Sequence, residues 1–332
     1  MKKKILILGG SGYIGTVLIK NLVKRNLFNV TNIDNLIYGG SDRNTDTVKK
    51  SKLYSFHKMD IRDIKTAKFI PQDLHSVVIL FGLVGDPITA KYKKLSHEIN
   101  RKAIINAINF FKKKKIRLIF ISTCSNYGLM NDEKKLAKEN TILKPLSLYA
   151  KDKVFVENFL QNNKQKFNFD YTILRFSTAF GISPRMRFDL TISDFAHQIY
   201  FKKKLDVYDP YTWRPYCHVE DLSNAIIKVI LAKKNLIKEQ VFNVGVNNNN
   251  FTKKKIVEEI LKFKNNTKIN YLSKGSDPRN YRVDFSKIKK KLNFKCKWTV
   301  ADGIKELLVC FKKEIFKNVK KQGNYNIIKK II

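Results

Sequence analysis

Tyr149 and Lys153 stand four residues apart in the segment Y-A-K-D-K, a spacing that puts both side chains on one face of a helix. A phenol so placed can exchange a proton with an alcohol, but its free pKa near 10 is too high for a base at neutral pH. A neighbouring ammonium stabilises the phenolate and lowers that value. Thr123 closes the apolar run L-I-F-I-S-T, which reads as a strand, and its hydroxyl is placed to hold the reacting oxygen. Cys124 follows directly; its thiol is either an acid or base, if its pKa is lowered, or a small packed side chain. Proton exchange at an alcohol pairs naturally with hydride transfer, which needs an acceptor elsewhere in the chain.

The segment G-G-S-G-Y-I-G at 9–15 supplies a place for one. Gly9, Gly12 and Gly15, with Tyr13 and Ile14 between the last two, sit where a buried strand gives way to an amphipathic helix. Without side chains, such positions let the backbone turn tightly and approach a pyrophosphate at the positive end of the helix. Asp34 lies 19 residues beyond Gly15, at the end of a second strand, where a carboxylate accepts both hydroxyls of a ribose. It would repel a 2′-phosphate, and no arginine follows it in I-D-N-L, which includes Asn35; the expected cofactor is therefore NAD rather than NADP. Asp60 and Ile61, after a third strand, are placed to bracket the adenine.

These residues need a scaffold that brings them to one edge. Strands are expected at 4–8, 30–33, 53–57, 76–81, 116–121, 171–175 and 241–244. Helices are expected at 13–25, 62–69, 95–113, 147–163 and 218–233. Alternation of this kind implies a parallel sheet with helices on both faces, and right-handed crossovers gather the strands' carboxyl ends along one edge. The fold class is α/β: a Rossmann-type doubly wound parallel sheet with a smaller, discontinuous substrate lobe. The dinucleotide domain is assigned to 1–176 plus 217–244 and the lobe to 177–216 plus 245–332, with helices at 190–201, 252–263 and 300–317 and short strands at 205–208 and 268–272.

Of the 332 residues, 66 are basic and 28 acidic, a net charge of +38. Such a field attracts polyanions, but the lysines are spread in short runs that read as solvated faces, and no nucleic-acid recognition motif accompanies them. Only 11 of the basic residues are arginines, and five of those (Arg185, Arg187, Arg214, Arg279 and Arg282) fall within 183–190, 212–216 and 274–284. In a chain this rich in lysine, the planar fork matters where a phosphate or carboxylate is gripped through two bonds, so these segments are the candidate phosphate and sugar grips. The four cysteines and five histidines show no metal-ligand spacing; no metal site is implied, and the thiols read as reduced, in a cytosolic protein. No apolar run approaches the roughly 20 residues of a membrane span. The start, M-K-K-K-I-L-I-L-G-G, reads as a buried strand rather than a signal peptide, and the basic tail 318–332 as a frayed or docked terminus rather than a membrane-touching segment.

In motif order the chain resembles the extended short-chain dehydrogenase/reductases of the nucleotide-sugar epimerase/dehydratase group. The resemblance runs through G-G-S-G-Y-I-G, I-D-N-L, M-D-I-R-D at 59–63, E-I-N at 98–100, S-T-C-S-N-Y-G at 122–128, P-L-S-L-Y-A-K-D-K at 145–153, R-F-S-T-A-F-G at 175–181, S-P-R-M-R-F-D at 183–189, W-R-P-Y-C-H-V-E-D-L at 213–222 and R-N-Y-R-V-D-F-S-K-I at 279–288. It implies Tyr149 as acid/base, Lys153 on the nicotinamide ribose and Thr123 beside the substrate hydroxyl. It also implies Asn100, Arg214 and Arg279 near the cofactor or a nucleotide diphosphate. Phe81, Gly82 and Leu83 fall in the cofactor wall after the fourth strand, with Gly82 and Leu83 replacing the group's usual alanine pair. Thr178, where many relatives carry asparagine, joins Arg185 and Arg187 on the substrate side.

In the group's 4,6-dehydratases an acidic pair follows the catalytic threonine; here Cys124 and Ser125 stand there. A serine is no carboxylate base. The expected activity is therefore an NAD-dependent epimerisation of a nucleotide-diphosphate sugar at C4. The alternatives are a dehydratase or ketoreductase using Cys124, or a non-catalytic NAD- or RNA-binding regulator. The resemblance further implies a homodimer through the helices at 95–113 and 147–163.

Overall fold

The computed structural model describes residues 2–39, 45–130, 132, 135–202, 204–273, 279–316, 319 and 322–328. Part of the arginine-bearing segment (274–278) and of the basic tail (318, 320, 321 and 329–332) lies outside them. The strands are β1 (Lys3–Leu8), β2 (Phe28–Asp34), β3 (Tyr54–Lys58), β4 (Leu74–Ile79), β5 (Arg117–Thr123), β6 (Asp170–Phe176), β7 (Thr178–Phe180), β8 (Lys204–Tyr208), β9 (Trp213–His218), β10 (Gln240–Val244), β11 (Asn250–Thr252) and β12 (Lys268–Leu272). Seven of them form one sheet in the order β10-β6-β5-β4-β1-β2-β3, and every pairing in it is parallel. The order reverses between β1 and β4, which opens a crevice at the carboxyl edge.

Burial of the sheet on both faces explains its apolar strands. In β1, Ile5 and Ile7 pack on one face and Leu6 and Leu8 on the other, all with no exposed surface. Each such side chain contributes about 1.5–3 kcal/mol relative to leaving it in water. The helices Tyr13–Lys24 and Val219–Leu231 cover the first face, through Leu18, Leu22, Leu222 and Ile226. Ile104, Ala107 and Ile108, with Val156 and Leu160 of the helix Leu148–Asn162, cover the second. A separate core around Phe180, Phe188, Ile192, Ile256, Ile304 and Phe311 lies beyond the carboxyl edge, next to a three-stranded sheet (β11-β9-β7) and a two-stranded one (β12-β8).

Three local readings are corrected. The single helix expected at 95–113 is broken: Lys93–His97 leads into a π-helical turn, Glu98–Ala103, before Ile104–Phe110. That widened turn holds Asn100, whose amide binds the Leu83 backbone. The helix expected at 62–69 is a 3₁₀ segment, Ile61–Thr66, started by Asp60, whose carboxylate accepts from Arg62 N at 2.9 Å. The strand β9 escaped notice because Pro215 argues against a strand with neighbours on both sides, yet it pairs with β11 and β7. All four cysteines are free thiols, with Cys217 and Cys296 sulfurs 3.8 Å apart.

One buried network fixes how the helix Leu148–Asn162 sits on the sheet. Ser147 caps the helix, accepting from Ala150 N at 3.2 Å. Tyr149, Lys153 and Glu157 follow at intervals of four on its inner face. Glu157 is 1% exposed and takes the Arg175 guanidinium of β6 at 2.6 and 3.0 Å. Ser122 Oγ of β5 and Asn126 Nδ2 donate to the same carboxylate at 2.5 and 2.8 Å. Ser122 and Arg175 are register partners in the sheet, so one carboxylate ties the helix to two adjacent strands. Deleting one partner leaves the other charge buried and unpaired, which costs about 3–5 kcal/mol. Arg175→Ala is therefore expected to lose that much in urea denaturation, and Arg175→Met combined with Glu157→Met clearly less. A single variant within 1 kcal/mol of the parent, on the order of a surface change, would contradict this account.

Candidate active site

The crevice holds a cavity of about 710 Å³. Its walls include Gly9, Gly12, Tyr13, Ile14, Gly15, Asp34, Asn35, Asp60, Ile61, Phe81, Gly82, Thr123, Tyr149 and Lys153. From the lobe side come Thr178, Arg185, Arg187, Arg214 and Arg279. Four residues expected in the site do not line it. Leu83 is fully buried in a small apolar cluster. Asn100 lies behind the wall, where its Oδ1 accepts from Leu83 N at 2.8 Å and its Nδ2 donates to Leu83 O at 2.9 Å; it shapes the 82–84 loop from outside. Cys124 is 1% exposed, and its thiol donates to the Arg175 carbonyl at 3.3 Å. Burial pushes that thiol far above its ordinary value. The packed-thiol alternative fits this environment, and the acid/base alternative does not. Arg282 likewise lies outside the cavity lining, its guanidinium 5.0 Å from the Trp213 ring centre.

The glycine turn passes a test of fit for a dinucleotide. Gly9 has φ +89°, and a Cβ there would lie 2.5 Å from the Phe81 backbone, so the fold itself demands glycine. Gly12 is different: its φ of −82° suits any residue, and an added Cβ would meet only the Gly9 carbonyl, at 3.8 Å. Its bareness keeps the wall open for a close-lying ligand. Gly12 is also the N-cap of the helix Tyr13–Lys24, which no side chain caps, so backbone N–H groups and the helix dipole present positive potential to the cavity. Asn32, which the sequence reading missed, props this turn from beneath by accepting from Gly10 N at 2.9 Å. Asp34 closes the far end: its carboxylate accepts from Ser11 N at 2.9 Å and Leu36 N at 2.8 Å, while burial pushes its pKa above the usual range. These residues fit NAD: a pyrophosphate at the glycine turn and ribose hydroxyls at Asp34.

Toward the centre of the cavity stand Thr123, Tyr149 and Lys153. Thr123 Oγ1 accepts from Ser125 N at 3.1 Å, which turns Ser125, not Cys124, into the cavity. Lys153 is 2% exposed; its Nζ donates to the Ile121 carbonyl at 2.8 Å and lies 5.8 Å from the Tyr149 ring centre. The expectation that Lys153 lowers the phenol's pKa is corrected here. Burial pushes Tyr149 well above its ordinary value, and the cation that most opposes the rise is Arg187. Burial also brings Lys153 down to about 8, against Glu157 and Asp152, which favour its ammonium. Both groups are thus displaced toward their neutral forms.

The arginines are held in place by the protein. Arg187 forks onto Asp189 at 2.5 and 3.1 Å. Arg279 reaches Asp86 at 2.7 Å and Ser125 Oγ at 3.3 Å, leaving Asp86 Oδ1 buried without a hydrogen-bond partner among the described residues. Arg214 donates to the Arg279 carbonyl and lies 5.2 Å from the Tyr281 ring centre. Ser125, Tyr281, Asp86 and Tyr38 are wall residues that the sequence reading did not select. The first two lie inside motifs it quoted; Asp86 and Tyr38 carried no local signal.

In the NAD-free protein, Lys153 should titrate near pH 8 instead of 10.5. Between those values the unfolded chain binds more protons at this site, so the group's contribution to stability rises with pH. NMR titration of ¹³C-dimethylated lysines, with Lys153→Met to assign the signal, measures this. A midpoint near 10.5 would mean that the amine is solvated.

Known proteins of matching sequence and shape include nucleotide-sugar epimerases and dehydratases. The YtcB protein of Bacillus subtilis (strain 168), described as an uncharacterized UDP-glucose epimerase, is 28% identical over 91% of this chain and 95% of its own length. A dTDP-glucose 4,6-dehydratase of Escherichia coli is 25% identical over 91% of both chains. The crystal structure of UDP-glucuronic acid 4-epimerase from Bacillus cereus, in complex with UDP-glucuronic acid and NAD, covers 94% of this chain and 100% of that one at TM-score 0.82 and 23% identity. A family profile described as NAD dependent epimerase/dehydratase matches residues 5–245. With the glycine turn, Asp34 and the Thr123–Tyr149–Lys153 group at one sheet edge, the chain belongs to the NAD dependent epimerase/dehydratase family.

Proposed function

We propose that the chain is a nucleotide-sugar epimerase acting at C4. The observation that carries this reading is the side-chain content next to Thr123. Positions 124 and 125, where elimination chemistry calls for carboxyls, hold a thiol turned into the core and a serine facing the cavity. An alcohol can be oxidised and reduced there, but residues 124 and 125 provide no carboxyl to expel a hydroxyl.

NAD, when bound, supplies the hydride acceptor and afterwards returns the same hydride. Tyr149 would enter the cycle as the phenolate and take the proton from the C4 hydroxyl as the C4–H bond breaks, while Thr123 donates a hydrogen bond to that oxygen. The resulting 4-keto sugar would turn over in the cavity and present its opposite face for reduction, and Tyr149 would give the proton back. Bonds and protons balance over the cycle. Burial favours the phenol that the first step forms, and Arg187 favours the phenolate that starts the cycle and is restored when the proton is given back. Arg185, Arg187, Arg214 and Arg279, with Lys91 and Lys253, make the lobe side of the cavity cationic, which suits a nucleoside diphosphate as the sugar's carrier. The same reading includes a homodimer through 95–113 and 147–163, where Phe155 is 43% exposed beneath the Arg101 guanidinium; analytical ultracentrifugation tests it.

Incubation of the purified protein with UDP-, GDP-, CDP- and dTDP-sugars in deuterium oxide, followed by proton NMR, should show a C4 epimer from at least one without deuterium at C5. Tyr149→Phe should lower kcat by about 10²–10⁴ while NAD stays bound. Deuterium at C5 would assign elimination chemistry instead, and no turnover of any sugar would remove the epimerase reading.

A further inference from the structure

Residues 322–328 lie across the loops at the sheet's carboxyl edge, beyond the stretch 5–245 that the family profile covers. Phe188 N donates to the Gln322 carbonyl at 2.8 Å. Arg185 donates to Asn324 Oδ1 at 2.7 Å and to the Gly323 carbonyl at 3.3 Å. Asn324 Nδ2 in turn donates to the Val84 carbonyl at 2.8 Å. Lys91 Nζ donates to Asn326 Oδ1 at 2.6 Å, and Ile328 N to the Ile37 carbonyl at 2.9 Å. Ile327, 7% exposed, packs with Ile37, Leu83, Ile88, Leu95 and Ile99. Seven consecutive residues thus join three loops that follow β2, β4 and β7. Asn324 and Tyr325 face into the cavity.

The joined loops flank the dinucleotide half. Ile37 follows Asp34, Val84 follows Gly82, and Arg185 is close enough to Asp34 to favour its carboxylate. Tyr38 spans the same gap, its hydroxyl accepting from Val84 N at 2.8 Å and donating to the Gly82 carbonyl at 3.4 Å. We propose that 322–328 is a strap over the NAD site, with Asn324 and Tyr325 as binding residues of its outer wall. For a dinucleotide to leave, the loops after β2 and β4 must part, and the strap's bonds to both must break first. Asn324 is 7% exposed and satisfies Val84 and Arg185 together; without it the Val84 carbonyl keeps a longer bond, 3.5 Å from Arg187 Nη2, and Arg185 loses its shorter tie to the strap. The strap therefore makes NAD a retained group. This proposal rests on the NAD site and not on the epimerase reading.

The test measures NAD release from the purified holoenzyme with no sugar present, using an excess of an alcohol dehydrogenase with ethanol to trap and report free NAD. Asn324→Ala and Ile327→Ala should each speed release by roughly tenfold, the scale of one lost buried hydrogen bond or contact. A chain ended after residue 321 should release NAD faster still. In melting experiments Asn324→Ala should lower the transition further with NAD bound than without it, reducing the stabilisation that NAD confers. Release at the parent rate in both point variants would overturn the strap. So would an equal drop in melting temperature with and without NAD, which marks a merely structural role. If the shortened chain fails to fold, the two point variants decide.

Discussion

The carboxylate of Glu157 holds the geometry of the candidate site together. It lies two helical turns beyond Tyr149 and one beyond Lys153, and it meets Arg175, Ser122 and Asn126 where no water competes. A parallel sheet with a helix laid on it has no covalent reason to keep one axial register; apolar packing alone tolerates sliding and rotation. A buried carboxylate with three directed partners does not. Its net stabilisation can be small after desolvation. Its effect is on position: the phenol and the amine arrive at the end of β5 in one arrangement.

The site is therefore made by two different means. The dinucleotide half is a consequence of topology: strand ends converge where the order reverses, and glycines keep the turn open. The lobe half depends on long side chains crossing open space, each steadied by a protein partner: Arg187 by Asp189, Arg279 by Asp86, Arg185 by Asn324. Those partners orient the guanidinium forks ahead of any ligand and reduce the entropy lost on binding. An anion that enters must compete with carboxylates already in place, which favours a dianionic diphosphate over a single weak charge.

Much of the fold was legible from the chain because buried parallel strands are continuous apolar runs, and the amphipathic helices between them follow a different period. The seven strands of the main sheet all fall where strands are expected, although the edge strand β3, Y-S-F-H-K, is not an apolar run. What escaped notice had competing local signals. Pro215 hid β9, and the π-helical turn at Glu98–Ala103 has no sequence mark apart from the polar Asn100 that it turns inward. In the site, residue types and spacing pointed to Thr123, Tyr149, Lys153 and the arginines. Spacing could not say which neighbour of Thr123 faces the cavity, because the 3₁₀ turn after β5 decides that and points Ser125 inward and Cys124 away. Nor could it give the direction of the Tyr149 and Lys153 shifts. The charge pairing was visible in one dimension, but the low polarity around both groups exists only after folding. Asn324 and Tyr325 lie about 240 residues from the Val84 loop that they reach, and no local pattern encodes such a contact.

The order in which a ribosome delivers these pieces has a consequence of its own. The glycine turn, Asp34 and the tyrosine–lysine helix are all complete by β6, whereas the segment that bridges Ile37, Val84 and Arg185 emerges about 146 residues later. At translation speeds of roughly 5–20 residues per second, the crevice spends on the order of ten seconds on the ribosome without its cross-tie. On the strap proposal, a nascent chain in that interval lacks the tie across its crevice. Lasting possession of a nucleotide would then begin only once residues 322–328 are made.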